Sequence, residues 1–155
     1  MSDVTIGLMR DGEIDAVHAL LSSSSLPVEG LDGHLETVLV ARRGDRLLGI
    51  VALELYADGA LLRSLAVAES ERGRGLGVDL THAVIELARS RGVRTLFLLT
   101  ETAMEFFPRF GFTNVMRADV PDGVRSSIEF TTVCPDSATV QALSLERKTP
   151  ANRGS

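Results

Sequence analysis

The segment Glu71 to Gly77, ERGRGLG, sets three glycines at alternate positions beside two arginines. It follows an apolar run, LLRSLAVAES, and precedes residues with helical spacing. A helix starting here presents backbone N–H groups that have no partner within the helix, and such groups can receive phosphate oxygens. Glycine lets the backbone approach a ligand closely, and Arg72 and Arg74 add charge suited to phosphate. The competing reading is a flexible turn carrying two solvated arginines. Other phosphate motifs match less well. A P-loop needs a lysine after its last glycine, and none follows Gly77. A dinucleotide fingerprint needs G-x-G-x-x-G near the first strand of a parallel unit. Here the spacing is G-x-G-x-G, and the preceding strands read as antiparallel.

Two charged residues lie in the strand-like segments before this turn. Alternation places Arg63 with Leu61, Leu65 and Val67 on one face of ALLRSLAV. A charge on an apolar face needs a partner. That partner could be the carboxylate of an amino-acid substrate or a protein carboxylate, unless Arg63 lies at a solvated edge. Glu54 shares a face with Ile50, Ala52 and Tyr56. It could take a proton from an amine, directly or through water, pair with Arg63, or sit at the surface. Tyr56, the sole tyrosine, reads first as strand-edge packing. Arg125 and Ser126, with Ser127, could bind a carboxylate or belong to a solvated loop. Cys134 has no identifiable histidine partner, so a buried structural thiol is preferred over an acyl carrier. His18, His34 and His82 are too scattered to form a local metal motif.

These residues need elements to position them. VTIGLMR (Val4 to Arg10) reads as a strand, and Asp11 is the expected cap of a helix reaching about Leu21. SSSSLPVEG then breaks the pattern as a connecting loop. His34 to Arg43 and Leu47 to Tyr56 read as strands joined by Gly-Asp and Asp-Gly turn signals, with Ala60 to Val67 as a third neighbour in an antiparallel meander. Leu76, Leu80, Val84, Leu87 and Ala88 recur at three- and four-residue spacings and predict a helix over Gly75 to Ser90. Val93 to Thr100 reads as a central apolar strand, and ETAMEFFPRF as a short helix whose limits Pro108 blurs. A short helix within VPDGVRSSIEF and a last strand over Ala138 to Glu146 follow. Residues 1–147 are expected to form one domain, and 148–155 a frayed tail.

Arg72, Gly75 and Gly77 match R/Q-x-x-G-x-G/A, the acyl-CoA signature of the GNAT N-acetyltransferase superfamily, which this chain resembles. LFLLTETAMEFFPRFGF (Leu96 to Phe112) is similar to the fifth strand, helix and Gly-Phe ending of that family, and the resemblance covers most of Val4 to Phe112. It implies an α/β fold with a mixed, mainly antiparallel central sheet flanked by helices. It implies acetyl-CoA as cosubstrate and no metal. Amides from Arg72 through Gly73, Arg74, Gly75 and Leu76 to Gly77 would take the pyrophosphate. Leu65, Ala66 and Val67 would pair with the pantetheine arm, and their N–H groups could stabilise a developing oxyanion. ALLRSLAV, LFLLT, FF and CPDSA resemble bacterial arsenic-resistance N-acetyltransferases and amino-acid N-acetyltransferase domains that act on glutamate. That points to a small amino acid or analogue, with Glu54 as candidate base and Arg63, Arg125 and Ser126 as candidate acceptor ligands. A homodimer is a family-level expectation. One departure stands out. Many relatives carry a tyrosine where this chain has Phe107, which cannot protonate a departing thiolate. A noncatalytic acyl-CoA-binding module is therefore the alternative class.

Composition agrees with a globular domain: 155 residues, 45% hydrophobic and 24% charged. A net charge of -5 argues against a general nucleic-acid or anionic-membrane surface. One cysteine gives neither an intramolecular disulfide nor a cysteine-cluster zinc site, so the cytoplasm is the expected compartment. MSDVTIGLMRDGE lacks the basic start and apolar core of a secretory signal, and no apolar run approaches the ~20 residues that span a bilayer.

Overall fold

The computed structural model describes residues 4–101, 103–127, 130 and 138–145. Cys134 and the expected tail at 148–155 lie outside the described residues. The described strands are β1 (Val4–Leu8), β2 (Val38–Arg43), β3 (Arg46–Tyr56), β4 (Gly59–Val67), β5 (Thr95–Thr100), β6 (Thr113–Val115) and β7 (Thr139–Ser144). They form one sheet in the order β1-β2-β3-β4-β5-β7-β6. Every neighbouring pair is antiparallel except β4 with β5. The expected mixed, mainly antiparallel sheet flanked by helices is present.

Helix α1 (Ile14–Ser23) packs Val17 and Leu21 on one face of the sheet with Val38, Val40, Ile50 and Ala52. Helix α2 (Leu76–Ser90) packs Leu76, Leu80, Val84 and Ala88 on the other, with Val51, Leu53 and Leu62. The three- and four-residue spacing read from the sequence is the buried stripe of α2. Gly49 permits the close approach of α2. A Cβ there would stand 2.8 Å from Leu80 Cδ1 and 3.1 Å from the Ala66 carbonyl oxygen.

Several boundaries differ from the expectations. The segment before β2 is a 3-10 turn over Leu31–Thr37, and the Thr37 hydroxyl donates to the His34 and Leu53 carbonyls, so the strand starts four residues after His34. Asp11 begins a 3-10 turn rather than capping α1; the Glu13 carboxylate instead accepts the Arg10 N–H at 2.7 Å. Gly75 is the residue before α2 and has φ +84. The helix expected in ETAMEFFPRF is a 3-10 turn over Phe107–Phe110, with Pro108 in its first positions. The short helix α3 is Asp122–Arg125. β6 was not anticipated. At three residues it is too short to show alternation.

The largest correction concerns the faces of β4. Ala66 pairs with Ile50, yet Arg63 pairs with Ala52, so three steps along β4 oppose two along β3. Ser64 has φ +64, a left-handed conformation uncommon for a non-glycine residue. This β-bulge breaks the two-residue alternation. Leu65 and Val67 pack with the α2 side, whereas Ala66 packs with the α1 side. Arg63 therefore does not share a face with Leu65 and Val67.

Gly49→Ala is expected to destabilise the chain by ~1–3 kcal/mol, because a methyl group must displace both Leu80 and a backbone carbonyl. Urea unfolding should show a lower midpoint with an unchanged m-value.

Candidate active site

β4 and β5 pair only at Ala60↔Leu96 and Leu61↔Phe97. Beyond these pairs, no strand among the described residues pairs with this edge of β4. Two adjoining clefts fill the split. The first, about 810 Å3, is lined by Leu62–Leu65 of β4, Leu98–Thr100 of β5, Phe107, and the loop after α1. The second, about 790 Å3, is lined by Leu65–Val67, Arg72, Gly77, Phe106 and Arg109 among others. Leu65 and Ala103 border both.

The glycine turn sits at the mouth of the second cleft. Gly73 and Gly75 have φ +82 and +84, and a Cβ at either would meet nothing within 4 Å. Backbone conformation, and not crowding, is therefore what requires glycine there. The first α2 bond runs from Asp79 N–H to the Gly75 carbonyl, so the amides of Leu76, Gly77 and Val78 precede the ladder. No side chain caps this end. Arg72 donates from Nε to the Val67 carbonyl at 3.2 Å, which fixes its guanidinium beside the end of β4. Leu76 offers only its amide, because its side chain is in the core. Arg74 points to a different depression, with Glu71 and Arg43.

Glu71 anchors this turn, a role that sequence reasoning missed. Its carboxylate accepts from Arg43 at 3.1 and 3.3 Å and lies 3.8 Å from Arg74. The Arg43 hydrogen bonds hold its carboxyl below the usual carboxylate range. A buried glutamate directly before an arginine-rich turn was the available signal, but burial cannot be read from one charged letter.

Glu54 and Arg63 come together across β3 and β4. Glu54 opposes Leu61, and Arg63 opposes Ala52, which makes Glu54 and Arg63 diagonal neighbours on one face. Arg63 Nη1 donates to Glu54 Oε2 at 2.9 Å, and their side chains are 0% and 1% exposed. Arg63 also donates to the Glu29 carbonyl at 2.8 Å, the Pro27 carbonyl at 3.1 Å and Ser64 Oγ at 3.0 Å. Of the partners open to Arg63, the structure supplies the protein carboxylate. Its guanidinium holds the loop after α1 in place as a wall of the first cleft. Glu54 is correspondingly closed to an incoming amine. Its other oxygen accepts the Tyr56 hydroxyl at 2.5 Å, and His34 Nε2 lies 3.9 Å from that oxygen. Burial, reinforced by the Glu54 carboxylate, pushes the Tyr56 hydroxyl up to about 12.

Arg125 and Ser126 do not join this cluster. They line a separate depression with Arg117, Asp122 and Phe130. Arg125 pairs with Asp122 at 2.7 Å, and Ser126 Oγ donates to the Gly123 carbonyl at 2.5 Å. Phe107 is buried against Phe106 and Phe112, with ring centroids 5.0 and 5.6 Å away, and it borders the first cleft. Among the described residues no cluster of side chains could hold a metal ion, and no helix is long and apolar enough to cross a membrane.

A family model described as acetyltransferase (GNAT) domain matches residues 34–114, which is just over half of the chain. The chain belongs to the GNAT acetyltransferase family. This GNAT chain is 28% identical over 96 residues to an amino-acid acetyltransferase of Neisseria meningitidis, covering 61% of this chain and 22% of the relative. It is 32% identical over 91 residues to N-alpha-acetyltransferase 30 of Schizosaccharomyces pombe, covering 53% of this chain and 61% of the relative. The chain thus spans less than two thirds of either relative's length. Its fold is similar to that of N-acetylglutamate synthase from Neisseria gonorrhoeae, solved with coenzyme A and N-acetyl-glutamate. The TM-score is 0.80 at 24% identity, over 95% of this chain and 36% of that one.

Tyr56 is the sole tyrosine, so tyrosinate absorbance reads it alone. A midpoint of about 12 is expected in the folded chain, against an ordinary 10.0. Because the folded value is the higher one, the folded chain retains the proton between the two. The associated stability is complete below the ordinary value and is lost as pH rises towards about 12. Glu54→Gln should lower the midpoint only part of the way, since burial, the larger cause, remains. Separately, Arg63→Met should destabilise by ~3–5 kcal/mol by leaving Glu54 buried without its cation. Adding Glu54→Gln should recover part of that loss in urea unfolding.

Proposed function

We propose that this chain transfers an acetyl group from acetyl-CoA to the primary amine of a small amino acid or amino-acid analogue. The observation that carries this reading is the split of β4 from β5 beyond Leu61 and Phe97, with the uncapped amides of α2 at its mouth. An unpaired strand edge offers N–H and C=O groups in the spacing that an amide-containing arm needs, and the α2 N-terminus favours anionic phosphate. Arg72 and Gly77, which both line that cleft, suit a pyrophosphate at its mouth. The second cleft is then the cosubstrate slot and the first is the acceptor side. The likeness to amino-acid acetyltransferases supports the acceptor class.

Acetyl-CoA supplies an activated thioester carbonyl. The chain's own residues would orient the amine beside it, and N–H groups from Leu65 to Val67 would stabilise charge on the carbonyl oxygen. Glu54 is enclosed, so its contribution is to keep Arg63 and the loop wall in place. Proton loss from the amine would go to water at the cleft, where Glu29 and Glu101 are also lining residues. A glutamate-like acceptor is the narrower case. A toxic amino-acid analogue would be an acceptor of the same kind, with resistance, including arsenic resistance, as the consequence. A cytoplasmic location is supported by a single cysteine in 155 residues, and a homodimer remains a family-based proposal.

The test is acetyl-CoA consumption against a panel of free amino acids and amine analogues, with products identified by mass. Acceptor-dependent release of CoA is expected. Tight acetyl-CoA binding without turnover on any amine would favour the noncatalytic binding module. Gly75→Ala should weaken acetyl-CoA binding about tenfold, since an alanine at φ +84 is strained and misaligns the α2 amides. Calorimetry would check it.

A further inference from the structure

Among the described residues, two that are not glycine adopt left-handed backbone, Ser25 at φ +59 and Ser64 at φ +64. Both line the first cleft. Non-glycine residues in this region carry local strain that the surrounding structure must hold, and such strain gathers at functional sites. At Ser64 the strain has an identifiable support. The bulge re-aims the residue, and Arg63 Nε donates to Ser64 Oγ at 3.0 Å. A hydroxyl that accepts from a guanidinium keeps its own proton to donate. No acceptor among the described residues takes that proton. The same guanidinium, held by Glu54 and two loop carbonyls, has little freedom to turn away.

Leu65, the next residue, borders both clefts, so a thioester reaching from the second cleft to the first would pass beside Ser64. Phe107 borders the first cleft and has no proton to offer. Resting on the acetyltransferase reading, we propose that Ser64 Oγ–H is the side-chain donor that stabilises negative charge on the departing sulfur of acetyl-CoA. In the step, the amine nitrogen bonds to the acetyl carbon, the carbon–sulfur bond breaks, and its electron pair stays on sulfur. The amine proton leaves to water. Ser64 does not ionise, because an alcohol is a much weaker acid than a thiol; it donates a hydrogen bond and keeps its proton. Charge-assisted hydrogen bonds of this kind are the strong ones.

The experiment compares Ser64→Gly and Ser64→Ala with the unaltered chain. Glycine suits a positive φ, and that relief offsets the lost Arg63 Nε bond, so Ser64→Gly should fold about as stably as the parent. A purely structural role for Ser64, acting through Arg63, would leave the titration of bound CoA unchanged. If the hydroxyl acts on sulfur, both variants lose kcat by about 10- to 100-fold with little change in the KM for acetyl-CoA. A second readout needs no acceptor. The thiol of bound CoA, followed by thiolate ultraviolet absorbance against pH, should titrate about one unit higher in both variants than in the parent. Unchanged thiol titration in Ser64→Gly would overturn the proposal even if kcat fell, as would parental kcat in that variant. Failure of the parent to turn over any amine would instead count against the acetyltransferase reading, while the CoA titration would still decide the role of Ser64.

Discussion

The pairing of β3 with β4 is the constraint on which the candidate site depends. One extra residue in β4, taken up at Ser64, separates a strand that would have been regular into two stretches facing opposite ways. Before the bulge, Arg63 meets Glu54 diagonally and reaches the loop after α1. After it, Leu65 and Val67 turn to the α2 side and border the second cleft. The bulge thus sets the buried ion pair, and the loop that it holds, beside the cleft.

A buried ion pair is weak evidence for stability, because desolvation of two charges offsets much of their attraction. Its value here is geometric. Arg63 supplies hydrogen bonds to two carbonyls of a loop that has no sheet partner of its own, and to the hydroxyl at the bulge. Removing either charge would leave the other buried, so both must stay or both must go. Tyr56 adds a further bond to the same carboxylate, in surroundings dry enough to keep its proton in place well above the ordinary range.

Charge is arranged differently at the other end of the cleft. The chain as a whole is acidic, at -5, yet the turn before α2 exposes Arg72 and Arg74. Glu71 secures that turn to Arg43 of β2. In the same way Glu13 joins the start of α1 to Arg42, through bonds of 2.8 and 2.7 Å. Adjacent arginines on one strand therefore point to opposite faces and tether a different helix entrance each. The turn can carry exposed cations because its position is determined by a buried anion at its base.

Much of the architecture was legible in local patterns. Helical spacing from Leu76 to Ala88 is a property of neighbouring residues, and α2 follows it. The glycines at 73 and 75 announced backbone that side chains resist, and both have positive φ. Signals of that kind are local, and one sequence contains them. The bulge, the partner chosen by Arg63, the enclosure of Glu54 and the separation of Arg125 from the cleft all depend on register between strands or on docking of distant segments. Alternation along β4 suggested the wrong companions for Arg63, because one additional residue reverses every face beyond it. β6 went unseen for a related reason: three residues acquire strand geometry from β7 and have no pattern of their own. The sequence by itself determined α2, most of the strands and the glycine turn before α2, since those depend on short-range sterics and periodicity. Only the tertiary structure decided which charged groups face the cleft and which are used up in holding it open, since that depends on which strand edges meet and in what register.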